Sequence, residues 1–219
     1  MKKQIDDLNK CFIVGTGRTG TMFFESLFNT FSSQIICYHE PRPDLYDLAI
    51  EKYRWEIEQD KLKERIIKSR NQYLIKAVRN KKSYYIESNN NVSFIVDDIA
   101  RAYANVKFII LVRDPRTYVV SALNKSPLNN DKFTFYDVTD HRKRLTPSDF
   151  KNDPLADSWD DLQRFEKISW FWNKCNSFLY DFHTSFSKSL LIKYEDLFGL
   201  DMQNRKSTFM QVFKFLGIE

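Results

Sequence analysis

Three of the five glycines in this 219-residue chain lie within six positions, in the stretch CFIVGTGRTGTMFFESLF at residues 11–28. The apolar residues 11–14 predict a buried strand that ends at Gly15, and a helical pattern begins at Thr21. A strand, a glycine-rich turn and a helix N-terminus bring several backbone N–H groups to one point. The chemistry expected at this point is the binding of a phosphate or sulfate group.

Several kinds of phosphate-binding loop share this outline. The nucleoside triphosphatase loop GxxxxGK[ST] fits Gly15 and Gly20, but Thr21 stands where that loop needs its lysine, so this class is excluded. The dinucleotide fingerprint GxGxxG matches Gly15, Gly17 and Gly20, and Glu40 ends the next strand about where a ribose-binding acid belongs. An NAD(P)-dependent oxidoreductase therefore stays open, as does a turn that serves only strand-to-helix packing.

Arg18 points to a third class. An arginine inside the loop supplies a planar fork for a phosphate or sulfate that the backbone donors hold. In this feature the chain resembles the sulfotransferases that use 3′-phosphoadenosine 5′-phosphosulfate (PAPS), whose loop reads Lys or Arg, Ser or Thr, Gly, Thr, Thr. The run Arg18, Thr19, Gly20, Thr21 matches that motif, and Met22 departs from its second threonine.

The second motif is KFIILVRDPRTYVVSALN at residues 107–124. Arg113 ends an apolar strand, and Ser121 lies eight residues further on, in a helix that Pro115 can begin. A guanidinium at the carboxyl end of a strand and a hydroxyl on the following helix can converge on one dianion. In the family that the chain resembles, an arginine and a serine at this spacing bind the 3′-phosphate of the donor. A dinucleotide enzyme does not need this motif, so it favours the sulfotransferase interpretation.

The resemblance implies a donor site and a charge-neutralising role for Arg18 at the departing 5′-phosphate. Phe23 stands where the family often has an aromatic residue beside the adenine, although its helical position is equally typical of a core residue. No metal is required in principle. The predicted donor contacts are Gly17, Arg18, Thr19, Gly20, Thr21, Met22, Phe23, Arg113 and Ser121.

The catalytic base is expected in the segment CYHEPRP, where His39 and Glu40 end the second predicted strand. Strand alternation places these two side chains on opposite sides. Some members of the resembling family use a glutamate about twenty residues past the loop arginine, and others use a histidine farther along. Glu40 lies twenty-two residues after Arg18, so we favour Glu40 and keep His39 as the alternative.

Other residues are less specific. Glu87, Ser88 and Asn89 end the third strand and are candidate contacts for donor or acceptor. The basic run at residues 141–144 suits an anionic acceptor, but a solvated basic loop is the favoured interpretation. Three lysines could assist catalysis, and nothing in the sequence selects among Lys76, Lys81 and Lys125.

The elements that must position these residues alternate along the chain. Helical patterns begin at Thr21 and Pro115, with others at 44–80, at 156–185 and in a closing segment. Alternation of apolar strands with helices predicts a parallel sheet covered on both faces. Together with the resemblance, this is a P-loop-like three-layer α/β/α fold with a central parallel sheet. The predicted strands are 11–14, 34–39, 83–88, 107–113 and 189–197, and a further helix is predicted at 92–104.

Composition indicates the general class of the protein, the charge of its ligand and its cellular location. Hydrophobic residues make up 42% and charged residues 29% of the chain, which indicates a water-soluble globular protein. The net charge of +5 suits an anionic ligand without identifying it. Three separated cysteines indicate neither a disulfide framework nor a metal cluster, and a cytoplasmic location is expected.

The overall prediction is a single sulfotransferase domain over residues 1–219. Residues 11–40 and 107–125 carry the donor-binding elements, and 126–160 is the acceptor-side segment. The expected acceptor is a small molecule or glycan, with no nucleic-acid or membrane partner, and oligomeric state is not predicted. A non-catalytic nucleotide-binding module stays open beside the oxidoreductase alternative.

Overall fold

Five parallel strands form the sheet at the centre of the computed structural model, which describes residues 1–31, 33–55 and 57–218. Their order across the sheet is β2-β3-β1-β4-β5. The central strand pairs on both sides, so that Ile13 lies opposite Ser88 and Ile109. The predicted parallel sheet is thereby confirmed. The strands are β1 (Asn9–Gly15), β2 (Ile35–His39), β3 (Tyr84–Ser88), β4 (Val106–Val112) and β5 (Ser189–Lys193).

Helices cover both faces of the sheet. Side chains alternate along β1, so that Phe12 and Val14 join one buried cluster while Cys11 and Ile13 join a second. Helices α3 to α7 pack in the first cluster, and α2, α8 and α9 pack in the second. This arrangement is the predicted three-layer α/β/α fold. The α-helices are α1 (Lys2–Asp7), α2 (Thr21–Asn29), α3 (Tyr46–Tyr53), α4 (Gln59–Arg79), α5 (Val96–Ala102), α6 (Pro115–Leu123), α7 (Arg164–Ser185), α8 (Tyr194–Phe198) and α9 (Met202–Leu216).

The carboxyl ends of all five strands meet at one edge of the sheet, because every pairing is parallel. Ligands of open α/β sheets bind at this edge, where neighbouring strands lead to helices on opposite faces. Here β1 leads into α2 on one face, and the adjacent β4 leads into α6 on the other. The glycine loop and Arg113 therefore follow neighbouring strands.

Several predicted boundaries are wrong. The last strand ends at Lys193 instead of 197, because its partner β4 ends at Val112, opposite Lys193. The long aromatic helix begins at Arg164 instead of 156. Gln163 and Glu166 form a capping box at this observed start. The helix predicted at 92–104 starts as a 3₁₀ helix over Asn90–Ile95 before α5 begins.

Burial differs along two of the helices near the site. Helix α3 buries Tyr46, Leu48, Ala49 and Ile50. In α2, Phe24 and Phe28 are buried while Phe23 is 39% exposed. Among the described residues, no helix has both the length and the apolar character needed to span a membrane.

Candidate active site

The glycine loop between β1 and α2 is closely packed on its outer side. A side chain at Gly15 would place its Cβ 2.5 Å from the carbonyl oxygen of Leu111 on β4. Gly20 has φ of 81°, and its Cβ would lie 2.6 Å from the ring of Phe198. These positions therefore require glycine for close approach and for left-handed backbone. Gly20 is the N-cap of α2 and makes no side-chain cap hydrogen bond, and of the first-turn amides that of Phe23 donates to the carbonyl oxygen of Gly20 over 3.0 Å.

The two cationic motifs meet at this loop. Nε of Arg18 donates to Oγ of Ser121 over 3.0 Å. Nη1 of Arg113 donates to the carbonyl oxygen of Arg18 over 2.7 Å. Residues separated by about a hundred positions in the chain thus form one contiguous group of two guanidiniums and a hydroxyl.

Arg113 is held from several directions. Its Nε donates to Oγ1 of Thr117 over 3.1 Å, and its Cζ lies 4.5 Å from the ring centre of Tyr194. Nε1 of Trp172 donates to the carbonyl oxygen of Arg113 over 2.9 Å. The neighbouring Asp114 pairs with Arg116 instead of Arg113. The guanidinium of Arg113 is therefore oriented by packing and not neutralised by the adjacent carboxylate.

A cleft of about 600 Å³ opens beside the loop. The predicted residues Gly17, Arg18, Gly20, Thr21 and Met22 line it. Four others lie outside its lining. Arg113 and Ser121 adjoin the cleft through Arg18, whereas Thr19 is fully buried and Phe23 packs against Phe198 and Phe209.

His39 and Glu40 both line the same cleft. The expectation that they point to opposite sides is wrong, because β2 ends at His39 and Glu40 has φ of 43°, which breaks the strand alternation. Nε2 of His39 lies 4.0 Å from Oε1 of Glu40. Nδ1 of His39 lies 3.0 Å from the carbonyl oxygen of Ser88. Since a carbonyl oxygen can only accept, Nδ1 donates in this hydrogen bond, and Nε2 is the ring nitrogen that faces Glu40.

The end of β3 is structural instead of ligand-facing. The Glu87 carboxylate is fully buried and accepts from Nε and Nη2 of Arg70 over 2.6 and 2.8 Å. Tyr85 and Asn89 donate to the same carboxylate over 2.6 and 2.7 Å. Ser88 donates to the carbonyl oxygen of Thr21 over 2.7 Å. These contacts use the side chains that the sequence offered as ligand contacts.

Comparison with known proteins identifies a family for this chain. The family model described as "Sulfotransferase family" matches residues 11–219. The chain belongs to the sulfotransferase family. This membership favours the sulfotransferase interpretation of the glycine loop over the oxidoreductase one.

Solved structures with the same fold are distant in sequence. The sulfotransferase domain from the curacin biosynthetic pathway has a TM-score of 0.60 and 16% identity, covering 97% of this chain and 75% of that chain. A sulfotransferase from Alicyclobacillus acidocaldarius has a TM-score of 0.55 and 15% identity, with coverage of 96% and 81%. These likenesses show the fold. No curated protein sequence matches this sulfotransferase.

The far wall of the sulfotransferase cleft includes basic residues of the predicted acceptor-side segment, 126–160. Arg142 and Arg144 line it, so the basic run at 141–144 is not simply a solvated loop. Lys125 lines the cleft as well, whereas neither Lys76 nor Lys81 does. Lys125 is therefore the one of the three candidate lysines that can reach a ligand there, although it pairs with an acid over 2.6 Å.

Asn90 and Asn91 also line the cleft, and the sequence offered only a weak signal for them. The Asn89 side chain caps the 3₁₀ helix that follows β3. Asn90 has another role, because its Nδ2 lies 2.7 Å from the position of a Cβ at Gly17. This asparagine therefore closes the outer side of the glycine loop.

Proposed function

We propose that this sulfotransferase takes a sulfuryl group from PAPS and transfers it to a hydroxyl or amine of a small-molecule or glycan acceptor. The observation that carries the proposal is the contact between Arg18, Arg113 and Ser121 at the end of the glycine loop. Residues 11–40 and 107–125 would hold the donor, residues 126–160 would face the acceptor, and residues 1–219 would act as one domain.

The chemistry of the donor-side residues fits a doubly phosphorylated adenosine. Main-chain amides at the start of α2 and the Arg18 guanidinium suit the 5′-phosphosulfate, since both stabilise anionic oxygen. Arg113 and Ser121 suit a second anionic group, the 3′-phosphate. PAPS supplies an electrophilic sulfuryl group when bound, so the chain must supply orientation, charge neutralisation and a base.

The acceptor proton needs a base close to the loop. Glu40 and His39 both line the cleft, with Nε2 of His39 and Oε1 of Glu40 4.0 Å apart. We assign proton removal to Glu40, with His39 as the alternative. Arg18 would neutralise the charge that develops on the 5′-phosphate as the sulfuryl group leaves.

Calorimetry with three nucleotides tests the donor assignment. The expected result is micromolar binding of 3′,5′-adenosine bisphosphate, at least tenfold weaker binding of 5′-AMP, and no binding of NADH. The 5′-AMP arm isolates the 3′-phosphate because the two nucleotides differ only in that group. Binding of NADH without binding of the bisphosphate would instead support the oxidoreductase alternative.

Transfer itself needs a separate test, because a non-catalytic module would also bind the nucleotide. PAPS labelled with ³⁵S would be incubated with the protein and a panel of sugar, phenol, alcohol and peptide acceptors. Label appearing in an acceptor supports the enzyme. Tight nucleotide binding with no transfer and no sulfate release would support the non-catalytic module.

A further inference from the structure

An arginine on the far wall of the cleft is arranged to bind an anion. The Cζ atom of Arg142 lies 4.5 Å from the ring centre of Tyr46 and 4.2 Å from that of Phe133. Cation–π contacts with two rings restrict the orientation of the guanidinium. The Arg142 side chain nevertheless keeps 14% exposure and lines the cleft, so a ligand can reach it.

Part of the hydrogen-bonding edge of Arg142 is already used. Nη1 donates to Oδ1 of Asn91 over 2.6 Å, and Nη2 donates to Oδ2 of Asp44 over 2.9 Å. A guanidinium carries five N–H bonds. The described part of the chain provides no further hydrogen bond to the Arg142 guanidinium, so three of its N–H groups have no partner there.

Two buried polar groups beside Arg142 are also incomplete. Nδ2 of Asn91 and the hydroxyl of Tyr46 have no hydrogen-bond partner within the described residues. Both residues line the cleft and are more than nine-tenths buried. The backbone of Leu145 lies close to the Tyr46 hydroxyl. Because both atoms are covered, a ligand reaches them only with a small side-chain movement.

The unpaired groups share one chemistry. The amide of Asn91 and the hydroxyl of Tyr46 can donate, as can the guanidinium of Arg142. Buried polar groups normally have partners, so a ligand that completes this set must offer acceptor oxygens. Next to a guanidinium, the preferred acceptor oxygens are those of an anion.

The charges along residues 125–144 agree with an anionic ligand. Four cations of this segment line the cleft, against one acid, Asp131. Asp131 pairs with Lys125, and Arg144 pairs with an aspartate outside the cleft lining. Lys132 makes no ion pair with any described residue. The four cations are Lys125, Lys132, Arg142 and Arg144.

We propose that the acceptor carries, besides the group that receives the sulfuryl, a second group that is an oxyanion and binds Arg142 together with Asn91 and Lys132. The acceptor is then a hydroxyl or amino compound with a carboxylate or a sulfate. This inference rests on the proposed sulfotransferase function. It assigns the far wall of the cleft to the acceptor and the glycine-loop side to the donor.

Matched acceptor probes test the inference on protein saturated with 3′,5′-adenosine bisphosphate. The phenol series is 4-hydroxybenzoate, 4-hydroxybenzenesulfonate and neutral 4-hydroxybenzyl alcohol, and the sugar series is glucuronate, glucose 6-sulfate and glucose. Dissociation constants would be measured by ligand-observed NMR. In at least one series, the anionic members should bind tenfold or more tightly than the neutral one. The carboxylate and sulfate-type members identify which oxyanion is preferred.

Three variants locate the preference. Arg142→Gln should remove the tenfold difference, whereas Lys143→Gln, which deletes an exposed neighbouring charge, should leave it intact. Asp44→Asn should preserve or strengthen anion binding, because it removes the acid that competes for Arg142. If Arg142 and Asp44 served only as a structural ion pair, both substitutions would weaken probe binding alike.

The inference is overturned if neither series prefers its anionic members, or if the preference survives in Arg142→Gln. Binding of 3′,5′-adenosine bisphosphate shows separately whether the donor assignment fails. Arg142→Gln should bind 3′,5′-adenosine bisphosphate as the unmodified protein does. If the unmodified protein does not bind that nucleotide, the donor assignment fails, and the same probe series without nucleotide still decides the role of Arg142.

Discussion

At the scale of single residues, the candidate base is defined by where β2 stops. His39 is the last residue of the strand, and its ring is fixed by the carbonyl oxygen of Ser88. Glu40 follows in left-handed backbone, which turns its carboxylate into the cleft that His39 also lines. Both groups are therefore candidates for the proposed proton removal.

Substitution separates them. Glu40→Gln is expected to lower kcat by about 10²–10⁴, the usual contribution of a general base, while the affinity for 3′,5′-adenosine bisphosphate stays unchanged. Steady-state sulfation assays and calorimetry measure the two quantities. Glu64→Gln, an exposed glutamate on α4, serves as the matched control. A loss of this size in His39→Gln but not in Glu40→Gln would transfer the role to His39.

The sequence could predict the location of those site residues that lie at or just after the end of a strand. Arg113 follows directly after β4, and Arg18 lies in the loop after β1. Because parallel strands have their carboxyl ends at one edge of the sheet, the strand pattern predicts that both arginines lie at that edge. Arg142 and Asn91 could not be predicted in this way. The position of Arg142 depends on the path of the segment between α6 and α7, where no apolar periodicity constrains the chain, and Asn91 lies in the 3₁₀ helix after β3, where the sequence pattern indicated only a helix.

At the scale of elements, helix α6 positions Ser121, and Asp114 caps it. Oδ1 of Asp114 accepts from the backbone N–H of Arg116 over 2.9 Å and from that of Thr117 over 3.4 Å. The Arg116 guanidinium, followed by these backbone bonds, lowers the pKa of Asp114 from 3.8 to about 2. The cap therefore stabilises α6 as long as the carboxylate is ionised.

This shift predicts a pH dependence. A depressed carboxyl pKa contributes stability that is present above pH 3.8 and is lost as the pH falls towards 2. Asp114→Ala should therefore melt at a lower temperature than the unmodified protein at pH 6, and the gap should shrink below pH 4. Thermal melts followed by circular dichroism between pH 6 and pH 2 measure it. A gap that stays constant across this range would contradict a stabilising role for the ionised Asp114 carboxylate.

Element boundaries show where pattern reasoning fails. The apolar character of SLLIKYEDL continues past Lys193, but a strand lasts only as long as its neighbour, and β4 has already ended. The start of α7 depends on a capping box at Gln163 instead of the aromatic pattern before it. Both errors have the same cause. The end of a strand or helix is set by its pairing or capping partner, and the local composition does not show where that partner lies.

At the scale of the whole molecule, one buried ion pair connects the site to the scaffold. Arg70 on α4 binds Glu87 on β3 with both side chains at 0% exposure, and its Nη1 donates to the carbonyl oxygen of Pro43 over 2.9 Å. Glu87 in turn accepts from the Asn89 side chain, whose Oδ1 accepts from the backbone N–H of Asn91. The segment after Glu40 and the cleft-lining Asn91 are thus tied to the same buried network.

Breaking this pair should be costly. Arg70→Met leaves the Glu87 charge buried without its partner, so the free energy of unfolding should fall by about 3–5 kcal/mol. Arg65→Met on the same helix is the control, because Arg65 pairs with Glu51 at the surface, where a pair contributes about 1 kcal/mol or less. Urea denaturation measures both. Equal losses in the two variants would show that the buried network is not the stronger constraint.

The central claim is that one doubly phosphorylated adenosine is held at two separate ends, by Arg18 with the loop and by Arg113 with Ser121. The most direct measurement is calorimetry of 5′-AMP and adenosine 3′-phosphate with Arg18→Gln and Arg113→Gln. We predict a crossed pattern, in which Arg18→Gln weakens 5′-AMP about tenfold or more and spares adenosine 3′-phosphate, while Arg113→Gln does the reverse. The crossed pattern is contradicted if both variants lose affinity for both nucleotides equally, or if neither variant loses affinity for either nucleotide.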